Sequence, residues 1–426
     1  MEGGCQMNYD AHANIFWGAL RALPEKYCRL PGVPESLPAL AANYPDLFDD
    51  PTRSEESKNA VDAEWRRFID FPPERAGAAR LHFFPGPMDR QAERIGLYRC
   101  MLERIVCSWR RRDFVAFIKH AGCLSHAMGD AVQPAHITPD PDNFLLSQML
   151  PVPDDPGLRN FHYHTSMEAV TGTCGTLAES KNLGFSIEEA AWRLSVDVLL
   201  AIRHCRRYII PTVEALFAHD SARAEQLAAG PVTAAAQLTR DALFTAILIA
   251  EKRVGKLPPV DLRLVPPSSE RHDLVYGGAI LDGNKKMPPN NVPVTPGALR
   301  IGGEIVHLPG LGVLPHSGMQ FDRSCHMSWI LPAGVFRHFT ALAGLHAEIG
   351  AGGAVAFSVL LDGTPVWNSG RMTAEMEAWN VEIPLGEATE LTLRTDDANE
   401  GKSFWNNNAY WGRPQLHRSP ETEQEK

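Results

Sequence analysis

The chain has 426 residues, 44% of them hydrophobic and 22% charged, with a formal net charge of −10. That length exceeds what one hydrophobic core ordinarily serves, so two domains are expected. The acidic balance argues against a basic surface that grips duplex nucleic acid, and no apolar run reaches the roughly 18 to 20 residues of a transmembrane helix.

The N-terminal text MEGGCQMNYDAH has no basic stretch ahead of an apolar core, so no secretory signal is read there. The expected location is cytoplasmic, or extracellular if the chain is trimmed. Eight cysteines are present and none forms a C-x-x-C pair, so a thiolate zinc ribbon is not expected.

The first 254 residues read as an all-α domain. Asp89 to Arg112 spaces Ile95, Leu97, Met101, Leu102, Ile105 and Trp109 near a 3.6-residue period. Phe114 to Met128 predicts a second helix. Ser186 to Phe217 predicts a third, opened by Ser186 with Glu188 and Glu189 in its first turn. Val232 to Val254, rich in Ala and Leu, predicts a fourth. Residues 255–270 carry KLPPVDLRLVPPSSE, whose Pro and Ser content predicts a linker. Beyond it, from 271 to 416, the apolar period becomes two. Ala354 to Leu361, Val366 to Trp367, Val381 to Leu385 and Glu390 to Arg394 read as strands of a β-sandwich, with a turn at Asp362 to Pro365. A charged tail, 417–426, is expected to be disordered.

Polar spacing inside the helical half suggests a metal site. His126 and Asp130 are four residues apart, on one face of a helix that continues through Gly129. Pro134 stops that helix and puts His136 on the exit loop. His164 and Glu168 form a second pair at the same spacing. Imidazoles with carboxylates are what zinc takes when thiolates are absent. His120 and His162 lie nearby as alternative ligands, off the face that the pairs define.

The order His126, Asp130, Gln133-Pro134-x-His136, His164, Glu168 resembles the zinc-dependent phospholipase C and single-strand nuclease superfamily. Tyr44-Pro45-Asp46, Leu81-His82-Phe83-Phe84 and His12 resemble its upstream ligand segments, and the likeness spans residues 9 to 252. It implies two or three zinc ions. His136, His164 and Glu168 would hold one; Asp46, His82, His126 and Asp130 a second; His12 a third, bridged by Asp130. The family completes the third site with an N-terminal Trp, whereas this chain has no Trp before Trp17, and Cys5 is the alternative donor. Asp62 and Asp70 compete with Asp46 within an inserted helix expected over Glu55 to Phe71. The implied activity is phosphodiester hydrolysis on a lipid or glycolipid, with Asp46 either a general base or a ligand only. A single-strand nuclease and a non-catalytic binder are the alternatives.

The text of residues 290–416 resembles a second family, the NPCBM-type carbohydrate-binding module, a jelly-roll sandwich. The matching segments are Ile301-Gly302-Gly303, Pro309 to Val313, Phe336 to Ala341, Gly344-Leu345, Val355 to Val359, Asp362-Gly363 and Val366-Trp367-x-Ser369-Gly370. Where that family carries Asp-His before its closing Trp, this chain reads Trp405-Asn406-Asn407-Asn408-Ala409-Tyr410-Trp411. Trp405, Tyr410 and Trp411 are the candidate sugar-stacking residues if exposed; if buried, they close the sandwich core.

Overall fold

The computed structural model describes residues 9–49, 91–138, 144–271, 296–315, 324–399 and 406–418. The chain divides into two compact units, Met1–Gly255 and Lys256–Lys426.

The first unit is helical: α1 (Tyr9–Arg21), α2 (Glu25–Cys28), α3 (Leu37–Asp49), α4 (Gln91–Arg110), α5 (Phe114–Val132), α6 (Phe144–Met149), α7 (Tyr163–Glu168), α8 (Ile187–Cys205), α9 (Ile209–Phe217) and α10 (Ser221–Ala250). At its centre runs α5, buried almost throughout, its polar residues Lys119, Ser125, His126 and Asp130 included. Asp113 caps it, accepting from Ala116 N at 3.0 Å. Gly122 lets α3 close on it, since a Cβ there would stand 2.5 Å from the Cβ of Ala41.

Two helix limits differ from the expected ones. The single helix expected over Ser186 to Phe217 is split by a 3-10 turn, Arg206–Tyr208. Pro211 supplies the reason: it has no N–H to continue the ladder and its ring crowds the carbonyl one turn back. The helix expected from Val232 starts instead at Ser221, capped by Asp220, and runs through Pro231. That helix, α10, is long and apolar enough to cross a membrane, but 72% of its most apolar window is buried against the other helices.

One face of α10 also straps down the extended segment that follows α7. Thr233 Oγ1 accepts from Gly175 N at 2.8 Å, Gln237 Oε1 from Ala178 N at 3.0 Å, Asp241 Oδ1 from Lys181 N at 3.0 Å and Thr245 Oγ1 from Leu183 N at 2.9 Å. The four side chains recur every fourth residue, so they form one row along the helix and pair the amides of a segment without secondary structure of its own.

In the second unit, two five-stranded antiparallel sheets face one another. One follows the order β1 (Val260–Asp261), β12 (Ala409–Arg418), β7 (Phe336–Leu345) and β10 (Trp379–Pro384), with β5 (Gly310–Val313) also on β12. The other follows β2 (Ser269–Arg271), β6 (Ser324–Ile330), β11 (Glu390–Asp397), β8 (Val355–Leu361) and β9 (Thr364–Met372). A separate hairpin joins β3 (Gly297–Ile301) to β4 (Glu304–Leu308). Asp362 and Gly363, at φ +47° and +76°, turn β8 into β9, as an Asp-Gly hairpin requires.

The stretch expected as a linker, 255–270, instead contributes sheet structure. Val260 pairs with Leu416 and Ser269 with Ser328. Its prolines flank Val260, Leu262 and Val265, which are buried and anchor it to the sandwich. His417 and Arg418, expected to open the tail, pair instead with β7.

Two of the three aromatic residues expected to stack on sugars are core residues. Trp411 is fully buried, its ring edge-on to Phe357 of the opposite sheet at 5.0 Å and its Nε1 donating to Thr395 Oγ1 at 3.2 Å. Tyr410 is buried on the other face of β12, beneath the β3–β4 hairpin, where its hydroxyl donates to Leu308 O at 2.9 Å and accepts from Gly297 N at 3.0 Å. Adjacent residues of a strand face opposite ways, so one ring fills the inter-sheet core and the other holds the hairpin. Trp405 lies outside the described residues.

Candidate metal centre

Among the described residues, two triads of potential ligands form in the helical unit: His12 with His126 and Asp130, and His136 with His164 and Glu168. Within each triad the donor atoms lie within 4.8 Å of one another.

Three helices build the first triad. His126 and Asp130 are one turn apart on α5, with Nε2 and Oδ2 at 3.2 Å. His12 comes from α1, its Nε2 at 3.5 Å from Asp130 Oδ1 and its ring stacked on that of His126 at 3.9 Å. From α3, the carbonyl of Ala42 lies 2.9 Å from His126 Nδ1. A carbonyl can only accept, so Nδ1 carries a proton in either state of the ring, and Nε2, the nitrogen facing Asp130, is the one that can exchange its proton for a metal. Gly129 makes the approach of α1 feasible, because a Cβ there would stand 2.8 Å from His12 Nδ1.

The second triad joins the exit of α5 to α7. Gln133 ends α5 with an extended backbone, and a tight turn follows in which His136 N bonds Gln133 O at 2.9 Å. That turn returns His136 to within 2.6 Å of Glu168 Oε1, which also meets His164 Nε2 at 3.0 Å. His162 is not part of the triad; its Nδ1 caps α7, accepting from Thr165 N at 3.4 Å. His120 joins neither triad.

Electrostatics suit these groups to a divalent cation. Burial, reinforced by the charge of His126, pushes His12 down to about 3, so its imidazole is neutral at neutral pH. Burial opposes ionisation of Asp130, but the charge and hydrogen bond of His126 outweigh it and hold the carboxyl well below its usual range. At Glu168 burial again opposes, and the bonds from His136 and His164 carry the carboxyl down to about 2. His136 moves the other way: burial would depress it, yet the hydrogen bond to Glu168 raises it. Neutral imidazoles with ionised carboxylates are a zinc donor set, and binding exchanges a proton for the metal. The residues present therefore fit the implied ion.

Both triads open on one cavity of about 60 Å³, to which His12, Asp130 and Glu168 all contribute. Gln133 lines it as well, and α10 closes one side with Ala228, Pro231 and Val232. Of the expected ligands, six thus fall into the two triads. Asp46 belongs to the last turn of α3, but its side chain lies outside the described residues. His82, Asp62, Asp70, Cys5 and the inserted helix over Glu55 to Phe71 lie outside them altogether. Sequence reasoning missed the supporting residues Ala42 and Gly129. A glycine between two ligand positions of one helix was the available signal for the latter.

Residues 282–417 match the family model of the NPCBM/NEW2 domain, which gives the C-terminal unit an NPCBM-type module. No curated protein matches the chain. Among solved structures, the M60 catalytic domain with two CBM51 domains of Clostridium perfringens ZmpB is 22% identical over 38% of this chain and 15% of that one, with a TM-score of 0.30. A CBM51 of Clostridium perfringens GH95 in complex with methyl-galactose is 22% identical over 37% of this chain and 99% of its own, also at 0.30. Clostridium perfringens alpha-toxin is 9% identical over 96% of this chain and 86% of its own, at 0.29. The chain thus spans a small part of the first of these structures and nearly all of the second.

Proposed function

We propose that the helical unit is a zinc-dependent phosphodiesterase of the phospholipase C-like kind and that the C-terminal unit recognises a glycan. The observation that carries the first half is the pair of triads, His12 with His126 and Asp130 and His136 with His164 and Glu168, each of which contributes to one cavity through His12, Asp130 or Glu168. When bound there, zinc would polarise a phosphoryl oxygen and lower the pKa of water toward about 7.

The chain's own groups supply order and shape. Ala42 O keeps Nε2 of His126 available. Asp130, which meets both His12 and His126, would hold an ion with them, and Glu168, which meets both His136 and His164, would do so in the second triad. Asp46, from the end of α3, is the candidate ligand and proton acceptor. Six residues make the described wall aliphatic: Ala11, Ile15, Val170, Ala228, Pro231 and Val232. Such a wall favours an apolar group beside the phosphate, as in a lipid or glycolipid, over a nucleobase that needs an aromatic platform.

The glycan half rests on the NPCBM/NEW2 match over residues 282–417. A module of that type would hold the enzyme on a glycan-bearing substrate.

Metal content of the purified chain, together with hydrolysis of bis-p-nitrophenyl phosphate before and after chelation, tests the enzyme. Two or three zinc per chain with turnover lost on chelation supports it. Protein that neither retains zinc nor turns over after zinc is added back removes it.

A further inference from the structure

We infer that Trp379 is the platform on which a sugar ring stacks in the C-terminal unit, with Glu377 beside it as the hydrogen-bonding group. The inference rests on the glycan-recognising reading above and assigns it residues.

Exposure separates the described tryptophans of this unit. Trp329 and Trp411 are buried, Trp367 is half-buried with its ring 6.3 Å from that of Trp411, and Trp379 is 49% exposed. A buried indole serves the core, whereas an indole left half in water forgoes much of the stabilisation its area could give. Trp379 opens β10, the outer strand of its sheet, and its partner across the ladder is Ala343, too small to cover it. Met376, also exposed at 44%, extends the apolar surface three residues upstream.

The surroundings are organised. Ala378 N donates to Arg300 O at 2.8 Å, which ties the start of β10 to the β3–β4 hairpin. Glu377 Oε1 accepts from Gly303 N at 2.9 Å, in the turn of that hairpin. One carboxylate oxygen is thereby fixed by the backbone, and the other can accept from a ligand hydroxyl. A flat indole meets the C–H face of a pyranose, and an oriented carboxylate meets its hydroxyl donors. Glu375 and Glu377 on either side of Met376 make this edge acidic, which selects neutral sugars over sialylated or sulfated ones.

The test uses the full chain on a glycan array, followed by calorimetric titration of its best neutral hit, with methyl galactoside and N-acetylglucosamine as soluble probes. Trp379→Ala should weaken binding by about tenfold or more, as truncation of an aromatic anchor does. Trp379→Phe should retain most of the affinity and Glu377→Gln should lose less than the alanine variant, with zinc content unchanged in all three. Wild-type affinity in Trp379→Ala would overturn the platform and leave the glycan reading standing. A wild-type chain silent across the array would overturn both. A preference for sialylated or sulfated glycans would overturn the role given to the acidic edge.

Discussion

The two units use their interiors in opposite ways. In the helical unit the titratable residues turn inward: His126 and Asp130 are buried on α5, and a cavity opens where the imidazoles meet the carboxylates. In the β unit the interior is aromatic and aliphatic, Trp411, Phe357 and Trp329 among it, and the groups suited to a ligand sit on an edge strand. A buried charge must find partners or a metal, so inward polar residues in one unit announce chemistry. A buried ring needs only neighbours, so inward aromatics in the other announce packing. The proposed functions therefore lie inside one unit and at the rim of the other.

The sharpest break of this comparison comes from the metal ligands. His126→Ala or Asp130→Ala should drop hydrolysis of bis-p-nitrophenyl phosphate to background and lower zinc content, while circular dichroism stays helical. Full activity in both variants would leave the inward polar residues without their chemistry.

Next come two truncations, one per interior. Trp411→Ala removes the ring that spans the two sheets and should destabilise the β unit by about 3 to 5 kcal/mol. Asp241→Ala should cost about 3 to 5 kcal/mol in the helical unit, because it leaves the buried guanidinium of Arg240, now 2.8 Å from Asp241 Oδ1, with the carbonyls of Ala178 and Glu179 but no countercharge, and frees the amide of Lys181. Urea unfolding followed by hydrogen exchange of peptides from each unit resolves the two; a change of less than about 1 kcal/mol in either would contradict the assigned burial.

Tyr410→Phe is a smaller perturbation with a sharper meaning. It removes the donor to Leu308 O and the acceptor for Gly297 N, for a loss of about 1 to 3 kcal/mol. Glycan affinity should be unchanged, because the ring is buried. A loss of affinity comparable to that of Trp379→Ala would return Tyr410 to the binding surface.

Gly129→Ala is the mildest of the set. The added methyl would stand 2.8 Å from His12 Nδ1, so α1 must shift. Zinc at the His12 triad should fall while the His136 triad stays loaded, and stoichiometry by mass spectrometry of the native protein would register the loss of one ion.

What the amino-acid order determined by itself is local. His126 with Asp130, and His164 with Glu168, meet because four residues make one helical turn, and Pro134 disfavours helix at Gln133, where α5 ends. The switch of apolar period near residue 270 likewise distinguishes helices from strands. Other features were settled only by the tertiary structure. His12 joins His126 because α1 can close over Gly129, a contact across more than a hundred residues. Pro231 stays inside α10, and Val260, Leu262 and Val265 turn a proline-rich stretch into sandwich, because packing outweighs local preference. Trp379 and Trp411 are the same residue in comparable strands, and whether each meets water or core depends on what the other sheet and the hairpin cover.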